Sequence, residues 1–182
     1  MDHTIAESLL KDPRFTQGKA LILEAMQDAK KHLQKTANSS LHSESYNKLI
    51  ESMNQMRGNN LYYPFIGSGI GNGMLVELAD GSTKYDLISG IGVHYFGHNF
   101  EELTNVLLDA AVQNTVMQGN LQQNEDSVRL LQLLLKTSKL DHGLLTTSGA
   151  MANENALKII FQKKIPRTRL LAFNGCFMGR TL

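Results

Sequence analysis

Apolar residues return along this chain in two rhythms, and the switches between them mark out its organisation. Up to about residue 60 the spacing is helical. Asp12-Pro13 divides a short first segment from a longer one, in which Ile22, Met26, Ala29 and Leu33 share a face. Lys30, Lys31 and Lys35 gather near its end, where a helix favours cations, and Asn38-Ser39-Ser40 closes it. Tyr46, Leu49, Ile50 and Met53 predict another helix, N-capped by Ser43. The rhythm then shortens. Residues 74–78 and 83–88 flank Asp80-Gly81 and predict a β-hairpin. Helical spacing resumes in 101–117, with Leu103, Val106, Leu107, Ala110 and Met117 as its stripe. It continues in a helix capped by Asn124, with Val128, Leu131, Leu134 and Leu135 on one face. Both stripes are expected in the core.

The last third alternates. Residues 143–147 read as a short buried strand, 150–164 as a helix that Pro166 stops, and 169–173 as a second strand. Strand, helix and strand form a βαβ unit with parallel strands and a right-handed crossover. The expected fold class is α/β: an N-terminal helical and hairpin segment over residues 1–98, then the first part of a mainly parallel-sheet domain over 99–182. Two parallel strands cannot complete such a sheet, so the chain reads as truncated.

Composition narrows the classes. With 42% hydrophobic and 19% charged residues the chain belongs with soluble globular proteins rather than disordered ones. A net charge of +1 gives no electrostatic case for nucleic acid or an anionic membrane. Cys176 is the only cysteine, so no intrachain disulfide forms and a reducing compartment is expected. No apolar run approaches the roughly 20 residues that span a bilayer. Met1-Asp2-His3-Thr4 lacks the pattern of a signal peptide. The expected location is the cytoplasm.

Candidate chemistry comes last. His3, His32 and His42 occur singly, and glycines around His94 and His98 argue against one helix aligning them, so no metal site is expected. The glycine-rich run 67–73 lacks the G-x-G-x-x-G spacing and the Lys-Ser/Thr of a P-loop; it reads as backbone for close approach or positive φ. Residues 89–98 mix glycines with aromatics and suggest backbone lining a pocket. Ser148-Gly149-Ala150 joins a strand to a helix N-terminus, a site suited to anions. Taken alone, that turn reads first as an ordinary connection with small residues for packing. The loop Gly175-Cys176-Phe177-Met178-Gly179-Arg180-Thr181 changes the balance. It follows the neighbouring strand and brings an aromatic face and a guanidinium to the same sheet edge.

With both loops in view, the chain resembles the class III aminotransferases, pyridoxal-phosphate enzymes of fold type I that include the acetylornithine, ornithine and 4-aminobutyrate aminotransferases. Three blocks carry the resemblance over about residues 60–182. Asp80-Gly81, Tyr85-Asp86, Ser89-Gly90-Ile91-Gly92-Val93 and Gly97-His98 are similar to the family's N-terminal signature. Ser148-Gly149-Ala150-Met151-Ala152-Asn153-Glu154 is similar to S-G-T-E-A-N-E, and Phe177-Met178-Gly179-Arg180-Thr181 to F-H-G-R-T. Met151 and Met178 depart from the usual glutamate and histidine, which blurs the subgroup.

The resemblance implies roles. Gly149 and Ala150 would donate backbone N–H groups to the phosphate of pyridoxal 5'-phosphate, and Phe177 would stack on its ring. Arg180 would bind a substrate carboxylate, and Ile91 would face the substrate. It also implies amino-group transfer from an amino acid or ω-amino acid to a 2-oxo acid, in a homodimer. The family's Schiff-base lysine and the acid paired with the pyridine nitrogen are expected beyond residue 182, so no catalytic residue is assigned here. Lys158, Lys163 and Lys164 read as helix-surface residues. Two further readings stay open: a non-catalytic piece that depends on a partner, and a simple phosphate-ligand binding module.

Overall fold

The computed structural model describes residues 4–33, 43–114 and 123–181. Two compact units divide the chain, Met1–Asn114 and Thr115–Leu182.

In the first unit, α1 (Ile5–Leu10) starts from a reciprocal cap. Thr4 Oγ1 accepts from Glu7 N at 3.2 Å, and Thr4 N donates to Glu7 Oε2 at 2.7 Å. Asp12 then caps α2 (Pro13–Lys31), accepting from Arg14 N at 2.8 Å, while Pro13 occupies a first-turn position where no N–H is missed. The Arg14 guanidinium hydrogen-bonds the same carboxylate and holds the Asp12 pKa down at about 2. The expected break at Asp12-Pro13 is thus a cap. α2 ends at Lys31, and the Asn38-Ser39-Ser40 stop lies outside the described residues. Ser43 is the first residue of α3 (Ser43–Arg57), so the cap of that helix also falls outside them.

β1 (Gly67–Asn72), β2 (Leu75–Leu78) and β3 (Thr83–Tyr85) form an antiparallel sheet in the order β1-β2-β3. Leu75 faces Tyr85 and Glu77 faces Thr83 across the expected hairpin. Its turn is set by Asp80 Oδ1, which accepts from Ser82 N at 2.9 Å, and by Gly81 at φ +83°. The glycine run read as backbone for close approach forms β1, with a register shift between Gly67 and Gly71. Its predicted close approach is real: a Cβ on Gly71 would lie 2.5 Å from His98 Cβ and 2.7 Å from Leu75 O. Tyr46 of α3 holds the entry to this sheet, donating to Pro64 O at 3.2 Å and accepting from Ile66 N at 3.0 Å.

α4 (Glu101–Ala111) lies against α2 through polar contacts: Lys19 Nζ meets Asp109 Oδ1 at 2.6 Å, and Gln27 bonds Glu101. Buried Lys30 donates to Asn99 O at 2.9 Å, and Asn99 Oδ1 accepts from Gly71 N at 2.7 Å. Asn99 therefore ties α2 to the sheet. Met117, expected on the α4 stripe, lies outside the described residues, and the helix ends at Ala111.

In the second unit, Asn124 caps α5 (Glu125–Ser138) as expected, accepting from Ser127 N at 2.8 Å. α6 (Gly149–Lys163) follows. Gly143 packs beneath α5, where a Cβ would meet Leu131 Cδ1 at 2.6 Å.

Two expectations need correction. Residues 143–147 and 169–173 form no strands, and the sheet of the described residues is antiparallel rather than parallel. A strand exists only where a neighbour completes its ladder, and these segments find none. Nor are the helix stripes core. Leu103, Val106 and Leu107 on α4 and Val128 and Leu134 on α5 are between 50% and 58% exposed, apart from Leu134 at 47%. Leu78, at 6%, is the buried hydrophobic among the described residues. The periodicity was a true sign of amphipathic helices, but among the described residues Leu103, Val106 and Leu107 of α4 and Val128 and Leu134 of α5 stay exposed, while Leu131 and Leu135 are half-buried beside Gly143.

Gly71→Ala tests the tightest of these contacts. It should destabilise the first unit by about 1–3 kcal/mol, since neither His98 nor the Leu75 carbonyl has room to retreat, read as a lower urea midpoint at unchanged slope.

Candidate functional site

The turn before α6 is shaped by a serine that prefers capping to helix. Ser148 is extended (φ −154°, ψ 159°), and its Oγ accepts from Met151 N at 3.2 Å. Its carbonyl accepts from Ala152 N at 3.0 Å and from Thr146 Oγ1 at 3.1 Å. That leaves the N–H groups of Gly149 and Ala150 without a partner among the described residues, as the first amides of any helix are. No heavy atom lies within 4 Å of where a Gly149 side chain would start. Two donors without a described partner therefore stand at the positive end of a 15-residue helix, with open space beside Gly149.

The loop after residue 173 seats on this turn. Gly179 has φ +119°, and a Cβ there would lie 2.5 Å from Ala150 Cβ and 3.0 Å from its Cα. Only glycine fits, on both counts. Asn153 Nδ2 donates to Met178 O at 2.9 Å, and Cys176 N to Phe173 O at 3.2 Å. The exposed Phe177 ring carries the Arg180 guanidinium 5.2 Å from its centroid. The structure thus brings the Gly149–Ala150 turn and the Phe177–Arg180 loop together without the sheet edge that was expected to align them. Arg180 lies over one face of the Phe177 ring, which is 73% exposed.

Ile91 belongs to the first unit. It sits on a turn at φ +58° and is 92% exposed. The turn is held from its base by Asp86, a residue whose part sequence reasoning missed. Asp86 Oδ1 accepts from Ile88 N at 3.0 Å and Ser89 N at 2.8 Å, and its Oδ2 meets His98 Nε2 at 2.8 Å. The His94 ring stacks on His98 with centroids 3.9 Å apart. The backbone closes the same loop, with His98 N donating to Gly73 O at 2.8 Å. Both partners stood in the Tyr85-Asp86 to Gly97-His98 block, but spacing alone did not pair them.

Among the described residues no group of three His, Cys, Asp or Glu side chains could hold a metal ion, and no helix is long and apolar enough to cross a membrane.

With this geometry in place, comparison with known proteins is decisive at the level of family. The profile of the family described as Aminotransferase class-III matches residues 63–182. The chain belongs to the class-III aminotransferases. It is 33% identical over 122 residues to acetylornithine aminotransferase 1 of Bradyrhizobium diazoefficiens, covering 64% of this chain and 30% of that protein. Identity is 32% over 130 residues to the acetylornithine aminotransferase of Mycobacterium bovis (68% of this chain, 31% of the relative). It is 32% over 117 residues to the acetylornithine/succinyldiaminopimelate aminotransferase of Yersinia pestis (62% and 29%). The aligned stretch spans about 30% of the length of these curated relatives. No solved structure matches the chain significantly. All of Asp86, His98, the α6 turn and the Phe177–Arg180 loop fall inside the family match.

The Asp86 carboxyl is held below its ordinary value, chiefly by the hydrogen bond from His98 and against the opposing effect of desolvation. A carboxylate lowered in the folded state stabilises above its unfolded pKa of about 3.9, and that contribution is lost as pH falls through the folded value. The first unit should therefore lose stability below about pH 4, while Asp86→Asn should be less stable at neutral pH and lose less on acidification. Urea midpoints measured from pH 6 to pH 2 check this; parallel curves for the two proteins would contradict it.

Proposed function

We propose that this chain carries the phosphate-binding side of a pyridoxal-5'-phosphate transaminase site. The observation that supports it is the pair of unpartnered amides at Gly149 and Ala150, with the Phe177–Arg180 loop seated on the same residue, inside the family match. The residues suit the group. Two N–H donors at a helix N-terminus would hold a phosphate dianion, and the absence of a side chain at Gly149 leaves room for it. The exposed ring of Phe177 would stack on the pyridine ring, and Arg180 would hold a substrate carboxylate through paired hydrogen bonds. When bound, pyridoxal phosphate supplies the electron sink for bond breaking at the amino-bearing carbon.

In this reading the protein transfers an amino group from an amino acid or ω-amino acid, of the kind named for its relatives, to a 2-oxo acid. It works in the cytoplasm as a homodimer, with residues 1–98 as a helical and hairpin segment and 99–182 as part of a fold type I large domain. The Schiff-base lysine and the acid for the pyridine nitrogen are assigned to none of the described residues. Lys158 on α6, and Lys163 and Lys164 at its end, are exposed helix-surface residues, and none is assigned that role.

A second reading draws on the uncovered stripes of α4 and α5: a non-catalytic piece that completes its core only against a complementary chain. Amino-group transfer by the protein containing this chain, with its loss in an Arg180→Ala variant, would separate the two.

Gly149→Pro isolates the phosphate contact. Ser148 already has the extended backbone that a following proline demands, and proline is well suited to the first helical position. The variant should keep α6 and lose one donor to a charged acceptor, weakening pyridoxal phosphate about tenfold or more in an absorbance titration. Unphosphorylated pyridoxal should be unaffected. Equal affinity of the wild type and the variant for pyridoxal phosphate would overturn the assignment.

A further inference from the structure

Asn153 sits one turn into α6, and its role there is not to stabilise the helix. Its Nδ2 leaves the helix and donates to Met178 O at 2.9 Å, a contact across 25 positions of sequence. By contrast Asn155, two residues on, turns its amide back to Met151 O at 2.9 Å within the helix. The carbonyl that Asn153 holds belongs to the peptide joining Met178 to Gly179. Fixing that peptide fixes the approach of Gly179, whose α-carbon is seated against Ala150 with no space for a side chain. Phe177 precedes the held carbonyl by one residue and Arg180 follows it by two. The other hydrogen bond described for this loop, Cys176 N to Phe173 O, lies within the loop's own N-terminal arm and gives no hold on α6.

We propose that Asn153 is the positioning residue of this site. Its amide clasps the 175–180 loop to the first turns of α6, so that the Phe177 ring and the Arg180 guanidinium are carried at a fixed distance from the Gly149 and Ala150 amides. The ligand class follows from the two ends: a phosphate at the amides and a planar aromatic ring at Phe177. This ligand half rests on the function proposed above; the mechanical half does not. Asparagine suits the task because it is short enough to keep loop and helix in contact and donates without a charge that would compete for the phosphate.

The native chain provides its own reporter, since Cys176 is exposed, is the only cysteine and lies in the loop. A nitroxide on Cys176 is compared in the full chain, in Asn153→Asp and in Asn153→Leu, with far-UV circular dichroism to follow helix content. The aspartate keeps the shape and loses the donor; the leucine keeps similar bulk and is neutral, so it serves for affinity. Both variants should retain helix and show faster label motion than the wild type. Pyridoxal phosphate should slow the label in the wild type and bind Asn153→Leu about three- to tenfold more weakly, the effect of one lost hydrogen bond. Label motion equal to wild type in a variant that keeps its helix would overturn the clasp. So would loss of helix in both variants, because the bond would then be holding α6 rather than the loop. Faster label motion with unchanged affinity would overturn the positioning role toward the ligand. If the wild type binds no pyridoxal phosphate, the proposed function falls, and the label motion still decides whether Asn153 holds the loop.

Discussion

The chemical potential of the second unit depends on one close contact, the seat of Gly179 against Ala150. The helix N-terminus alone offers only two donors, and such an end is found on every helix. It becomes a candidate site because a second loop lands on it, and the loop can land because position 179 has no side chain and tolerates φ +119°. The Asn153 amide bonds the loop at the neighbouring Met178 carbonyl, at a solvent-exposed position where water competes for it. The geometry is therefore cooperative: the glycine permits the approach, and the amide fixes its direction.

The first unit solves a similar problem with charge. Ser89 and Ile91 both hold left-handed backbone, at φ +52° and +58°, which costs of order 1–2 kcal/mol for each such residue. Three hydrogen bonds converge on Asp86 from Ile88, Ser89 and His98 and offset that strain. Asn99, itself at φ +49°, performs the equivalent service one step further on, joining Gly71 of the sheet to Lys30 of α2. The loop bearing Ile91 is thus supported from both of its ends by short polar side chains, with little apolar burial to help.

How legible this was depended on whether a feature is local. The cap at Asn124, the turn at Asp80-Gly81 and the helices themselves are decided within a few residues and could be read directly, whereas Asp12-Pro13 was legible as a break and only the structure makes Asp12 a cap. Ser148 as a cap and the turn amides belong to the same class. Strands were different. The run Gly67–Asn72 has almost no side chains to alternate and became β1 because β2 lies beside it; Leu144 and Leu145 looked more like a strand and found no neighbour. Pairings over distance were equally hidden. Nothing in the spacing of Asp86 and His98, or of Asn153 and Met178, says that they touch, although the blocks containing them were recognised. Amphipathicity was correct as a pattern for α4 and α5 and misleading as a statement about burial, because a stripe says only which face wants cover.

Those bare stripes have a thermodynamic consequence. A chain whose helices keep their apolar faces in water has little hydrophobic free energy with which to oppose its conformational entropy. Any surface that covers Leu103, Val106 and Leu107, or Val128 and Leu134, then acts as a ligand of the folded form alone. Its contribution follows mass action, about 2.7 kcal/mol when it is present at a hundred times its dissociation constant. Where that surface belongs to a separate molecule, stability becomes a function of concentration, and dilution acts on it as a denaturant does.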